Sequence, residues 1–279
     1  MEHSEMKVLK KSPFIAPLRP GLLVTMAIIA ISGLSPRPSN ANGIDWIIAP
    51  YFWGSDVGLD VTVNSDPIIG TEVPLSDLLD KQDGVFMGHF EGRGERFGLF
   101  VDTIYLSLAD SNVIPIGPGG PILGDLITDM TMTLKLYELG GVYRIGDDSP
   151  GSTAFDILLG TRLVDVDQNL DLILPGPAAT PLNLSIAVSE TDVFFGGRLV
   201  GKFTDKWHYK ARADIGGGGT DGTFNILGAV GYTFGQTGLF SLDLGYRYMT
   251  IELENDQNGT RTETDITMSG PLLGFIFNF

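Results

Sequence analysis

The chain has no cysteine, which excludes disulfides, thiol chemistry, Cys-ligated metals and a lipid-modified N-terminal cysteine. Histidine is almost as scarce. Apart from His3, only His89 and His208 occur, too few for a His-based metal site and a thin supply of bases for acid–base catalysis. No metal or cofactor is expected. Basic residues are also few, 18 against 34 acidic ones for a formal charge of -16. This argues against nucleic acid or any anionic surface held by general attraction. After residue 41 no stretch approaches the roughly twenty uninterrupted apolar residues that a transmembrane helix needs. Any membrane crossing must therefore be made by strands, whose backbone is satisfied in lipid only when the sheet closes on itself.

The first 41 residues read as a removable segment. Lys7, Lys10, Lys11 and Arg19 make a basic head, Gly21 to Leu34 an apolar run of about fourteen residues, and Ser39-Asn40-Ala41 a small-x-Ala cleavage site. The run is too short for an anchor, so residues 1–41 are taken as a signal peptide cleaved after Ala41. Residues 42–279 are taken as one barrel, with no room for a second domain. Cleavage removes five basic and two acidic residues, which leaves 13 and 32 and a charge of -19.

From Ile44 onward the chain alternates in polarity with period two. Trp207, Tyr209, Ala211, Ala213 and Ile215 share one face and His208, Lys210, Arg212 and Asp214 the other. Phe240, Leu242, Leu244, Tyr246 and Tyr248 oppose Asp243 and Arg247, and Phe155, Ile157, Leu159 and Leu163 oppose Asp156 and Arg162. Successive side chains of a strand point to opposite faces, so these strands are apolar on one side and charged on the other. A water-soluble barrel would turn the aromatic faces inward, where a small lumen could hardly hold the rings. Aromatics near strand ends, Trp46, Tyr143, Trp207, Tyr248 and Phe279, suit interfacial girdles.

Short connections at 94–97, 146–152, 204–206 and 235–238 alternate with long ones near 64–83, 110–128, 168–184, 216–222 and 254–262. This predicts an all-β, antiparallel up-and-down transmembrane barrel of ten strands, with eight or twelve as alternatives. The strands are 44–63, 84–94, 97–109, 129–146, 153–168, 184–203, 206–216, 222–234, 239–254 and 262–279, and the short turns are periplasmic. Gly54-Ser55-Asp56 could split the first strand, in which case residues 68–74 would supply a twelfth.

The final strand carries Leu273, Phe275, Phe277 and Phe279 on one face. This resembles the closing strand of Gram-negative outer-membrane β-barrels, whose terminal Phe and alternate apolar residues are the mark read by the insertion machinery. Trp46-x3-Pro50-Tyr51-x-Trp53, Leu75 to Asp80, and Gly98-Leu99-Phe100-Val101-Asp102-x2-Tyr105 resemble small OmpA-like and OmpW-like barrels. The resemblance implies an outer-membrane location, with lipid, lipopolysaccharide, periplasmic chaperones and insertion machinery as partners, and a porin-like monomer.

Inward charges form the largest candidate site: Glu91, Arg93, Asp102, Glu138, Arg144, Asp156, Arg162, Glu190, Asp192, Arg198, Lys202, Lys210, Arg212, Asp214, Asp243 and Arg247. They either pair across strands and fill a narrow lumen or line a selective pore. Two connections are unusually apolar, at Ile114, Ile116 and Leu123 and at Ile173 and Leu174. A hydrophobic mouth built there would gather a lipophilic solute, as the OmpW-like resemblance implies. His89 and His208 lie away from the outer mouth, so no catalytic residue is expected. The functions left are a narrow channel or a binder of a small, lipophilic solute, a structural or adhesive barrel with a filled lumen, and more distantly a lipid hydrolase.

Overall fold

A computed structural model describes residues 43–64, 66–73, 82–115, 125–147, 149–174, 180–257 and 260–279. The segment read as a signal peptide lies outside them, as do Leu75 to Asp80. The elements are β1 (Asp45–Trp53), β2 (Asp56–Val63), β3 (Asp66–Val73), β4 (Gln82–Arg93), β5 (Phe97–Pro115), β6 (Asp125–Ile145), β7 (Thr153–Leu174), β8 (Thr180–Lys202), β9 (Trp207–Gly217), β10 (Gly222–Phe234), β11 (Phe240–Gln257) and β12 (Thr260–Asn278).

All pairings are antiparallel between chain neighbours, apart from β1 with β4, β2 with β12 and the closing pair β1–β12. Ile47 stands opposite Asn278, and the amides of Trp46 and Phe279 donate to each other's carbonyls at 3.1 and 2.9 Å. The closed ring therefore contains ten strands, β1 and β4 to β12, which is the predicted architecture.

The break at Gly54-Ser55 does occur, yet β1 and β2 keep one register along β12: Trp53 faces Leu272 and Asp56 faces Ser269. On the other edge β4 leaves β1 at Pro50, opposite Gly88, and β3 pairs with β2 higher up. A twelfth strand thus forms at 66–73 without adding to the ring.

The stretches 110–128 and 168–184, expected to be loops, are mostly strand. The β5–β6 ladder runs on to Pro115 opposite Asp125, and β7–β8 to Leu174 opposite Thr180. The reason lies in a reversal of polarity along the strands. On β11, Leu242, Leu244 and Tyr246 face out while Asp243 and Arg247 are buried; beyond Tyr248, Met249, Ile251 and Leu253 are buried while Glu252 and Glu254 face out. On β6, Tyr137 and Leu139 face out with Glu138 and Arg144 inside, and toward the other end Leu136, Leu134 and Met132 turn inward with Thr131 exposed. On β12, Phe275 is outward, whereas Met268 and Ile266 are inward and Asp265 is outward.

The half near the short turns is thus built for lipid outside and charge inside, and the far half is built like a water-soluble barrel. The outward apolar row of β11, Phe240 to Tyr248, spans about 20 Å at roughly 3.3 Å per residue and 40° tilt, close to the apolar band of a transmembrane barrel. Around the ring the same band carries Trp46, Phe90, Phe97, Leu99, Leu139, Phe155, Phe195, Trp207, Phe224 and Leu244.

Two neighbouring glycines of the β6–β7 region test the tightness of the wall. A Cβ at Gly160 would run into the Leu139 carbonyl and come within 2.7 Å of both Gly140 Cα and the Phe194 ring, whereas one at Gly141 would meet nothing closer than 3.8 Å. Gly160→Ala should therefore lose about 1–3 kcal/mol of stability by overpacking, while Gly141→Ala should leave it unchanged. Urea unfolding read by heat-modifiable gel mobility checks both.

Candidate functional site

The interior of the lipid-facing half is a cross-strand ion network. At its centre Arg162, fully buried, donates to Glu138 at 2.7 and 2.9 Å, to Asp214 at 2.5 Å and to Thr223 Oγ1 at 2.8 Å. Arg212 bridges the same two carboxylates at 2.8 and 2.7 Å, with its guanidinium over the rings of Phe100 and Phe194. Nearer the turns Arg198 grips both oxygens of Glu91 at 2.7 and 2.8 Å and reaches Asp156 at 2.8 Å. Arg144 holds Asp156 in a second fork at 2.7 and 3.0 Å. Planar forks of this kind are what make buried charge tolerable.

His89 sits between carboxylates, Nδ1 at 3.1 Å from Asp102 and Nε2 at 3.2 Å from Glu91, and the Tyr51 hydroxyl donates to Asp102 at 2.7 Å. His208 Nε2 lies 2.8 Å from Asp243, which also accepts from Lys210 at 2.8 Å. Thr233 Oγ1 is 3.5 Å from the other His208 nitrogen and is already engaged with Ser241 at 2.9 Å. That spacing is too long for an activated nucleophile.

Above this network lies an apolar layer. Trp53, Val57, Met87, Ile104, Leu106, Met132, Leu134, Leu136, Val164, Val166, Met249, Ile251, Leu253, Ile266 and Met268 pack inside the far half. Below it, toward the turns, a cavity of about 820 Å³ is lined by Ile47, Ala49, Leu272, Gly274 and Ile276 on the β1–β12 side, by Arg93 on the neighbouring β4, and by Arg144, Arg198, Lys202, Lys210 and Arg212 on the facing wall. Tyr51, His89, Glu91 and Arg247 also line it. The β1–β12 wall is mainly apolar, with Asp45 and Asn278 also on it, and the facing wall is charged.

The residues read from sequence as inward charges, Glu190 apart, are distributed among three tasks. Glu91, Arg93, Asp102, Glu138, Arg144, Asp156, Arg162, Arg198, Arg212, Asp214 and Arg247 belong to the central network, and Lys202, Lys210 and Asp243 to the cavity wall. Asp192 does something else: it accepts from the amides of Gly219 and Thr220 at 3.1 and 2.8 Å and from the Thr220 hydroxyl at 2.7 Å, clamping the β9–β10 connection. Ile114, Ile173 and Leu174 lie in strands β5 and β7, and Ile116 and Leu123 lie outside the described residues. Phe275 is exposed on the outer face, Phe277 packs on Phe240 with ring centroids 5.3 Å apart, Leu273 is half-buried, and Phe279 reaches the cavity rim.

The inward aromatics Trp53, Phe100 and Phe194 were missed. Their signal was available, because Phe100 shares the parity of Asp102 and Phe194 that of Asp192. Outside the spanning strands, Asp147 in the β6–β7 turn accepts from the Ser149 hydroxyl and, at 3.0 Å, from its amide, which holds the carboxyl below its ordinary pKa.

No protein-family model and no curated protein sequence matches the chain. Among solved structures it is similar to the outer-membrane protease OmpT of Escherichia coli, at 7% identity over 87% of this chain and 99% of that one, with a TM-score of 0.49. It is similar to the translocator domain of the autotransporter NalP of Neisseria meningitidis at 12% identity, covering 93% and 96%, with a TM-score of 0.39. The toluene transporter TbuX of Ralstonia pickettii gives 12% identity, 85% and 90%, and a TM-score of 0.32. Likenesses this distant transfer no activity. The transmembrane barrel stands on its own strand closure and its lipid-facing belt.

Proposed function

We propose that this chain is a monomeric outer-membrane barrel with a closed lumen, which binds a small solute in a blind vestibule open toward the periplasmic turns instead of conducting it across. The observation that carries this reading is the order of layers along the axis: the cavity of about 820 Å³, then the Arg162–Glu138–Asp214 network, then the apolar layer. Both layers above the cavity are buried, and a path for hydrated ions would need to break each. The volume falls within the roughly 300–1,000 Å³ of small-molecule sites. Catalysis is disfavoured because, among the described residues, neither imidazole in the cavity has a hydroxyl nucleophile closer than Thr233, 3.5 Å from His208 and already engaged with Ser241. Lipid and lipopolysaccharide cover the belt, and periplasmic chaperones and the insertion machinery deliver the barrel there.

The absence of cysteine makes the test clean. Leu227→Cys places a thiol on the cavity wall, and Ile266→Cys places one in the apolar layer. A small water-soluble maleimide should modify the first in the folded barrel and the second only after unfolding. Equal modification of both would mean that water reaches through the lumen, and the blind-vestibule reading would fail.

A further inference from the structure

The buried guanidiniums of the vestibule are largely neutralised by close carboxylates, and Arg247 at its floor stands apart from them. Arg144, Arg162, Arg198 and Arg212 each hold a carboxylate oxygen at 2.8 Å or less. Arg247 holds none so close: its nearest carboxylates, those of Asp102 and Glu138, are both 3.9 Å away. It is only 3% exposed, and it lines the cavity. Its Nε donates to Asn225 at 2.8 Å, one terminal nitrogen reaches the Tyr51 hydroxyl at 3.3 Å, and the other meets only the Met249 sulfur at 3.9 Å. A guanidinium has five N–H donors and needs strong acceptors when buried. This one is under-used.

The plane of Arg247 lies over Trp53, 4.8 Å from the ring centroid, and the Trp53 indole N–H is itself buried without a hydrogen-bond partner. Arg247 lines the cavity, and Trp53 backs it from the apolar layer. From there the apolar wall of Leu272, Gly274 and Ile276 with Ile47 and Ala49 runs down to the mouth. Near the mouth Lys202 forms no ion pair with any described residue.

We propose that Arg247 anchors the head group of a small carboxylate with a short hydrocarbon body, which lies along the β1–β12 wall. A single negative charge suits the floor, because Asp102 and Glu138 stand only 3.9 Å from the guanidinium and would repel a dianion. The ligand class rests on the vestibule reading above, and the two can fail separately.

The test is calorimetric titration of the folded barrel with hexanoate, hexanol and hexyl phosphate, together with protection of Leu227→Cys, which sits opposite Arg247 in register. Hexanoate should bind saturably and slow modification of the thiol, hexanol should do neither, and hexyl phosphate should bind at least tenfold more weakly. Arg247→Gln should weaken hexanoate at least tenfold. Should that variant fail to fold, the contrast among the three probes on the Arg247 background decides alone. A reactive Leu227→Cys with no hexanoate binding, or equal protection by hexanol, overturns the carboxylate anchor and leaves the vestibule standing. Equal hexanoate binding by a folded Arg247→Gln overturns the role of Arg247. An unreactive Leu227→Cys overturns both readings.

Discussion

Replacing Arg162 by Leu should cost the barrel about 3–5 kcal/mol and leave most of it unfolded, because Glu138 and Asp214 would remain buried as two carboxylates sharing the single close cation Arg212. Arg162, Glu138 and Asp214 all lie out of reach of solvent, so neither carboxylate can be rescued by water. The loss is expected to be relieved in part in Arg162→Leu/Asp214→Asn, where one charge of each sign leaves and Arg212 keeps Glu138. A rim control separates burial from charge as such. Arg261 pairs with Glu254 and Glu263 at 2.8 Å but is 54% exposed, and Arg261→Ala should show no measurable change, since surface pairs contribute little. Urea titration of each variant in detergent or in vesicles, scored by gel mobility without heating, compares the four proteins.

The second large effect concerns where the membrane ends. Leu139 and Thr133 point out from the same strand on the same face, Leu139 in the lipid band and Thr133 beyond the reversal of polarity. Leu139→Arg should lose about 2–4 kcal/mol in vesicles, the cost of arginine near the middle of a barrel's lipid face. Thr133→Arg should lose almost nothing, because it meets water beside Lys135, which reaches Asp165 at 2.9 Å. If the two substitutions cost the same, the apolar core of the far half does not sit above the bilayer, and the layer order argued here is wrong.

Period-two alternation made the barrel legible in the sequence, and the Leu273, Phe275 and Phe277 row was enough to place the strand that pairs with β1. The lumen charges were legible for the same reason: Asp243 and Arg247 share a parity that no lipid-facing strand could turn outward. The far half was not read correctly, because alternation was followed with one fixed phase. Beyond Tyr248 the apolar parity shifts from even to odd, Met249, Ile251 and Leu253, and a reader holding the first phase sees only a broken pattern and assigns a loop. The same reading left Phe100, Phe194 and Trp53 unassigned, the rings on which Arg212 and Arg247 rest. Pairing partners are only partly given by a sequence pattern. Arg162 stands opposite both Glu138 on β6 and Asp192 on β8, binds the first, and passes over the second to Asp214 on β9.

The closed lumen is the central claim, and conductance tests it most directly. The folded barrel, purified and inserted into a planar bilayer, should remain electrically silent while showing the heat-modifiable mobility of a native barrel. Discrete current steps that change in size when Arg212→Gln or Arg247→Gln is introduced would establish a water-filled path through the ion network and contradict the account.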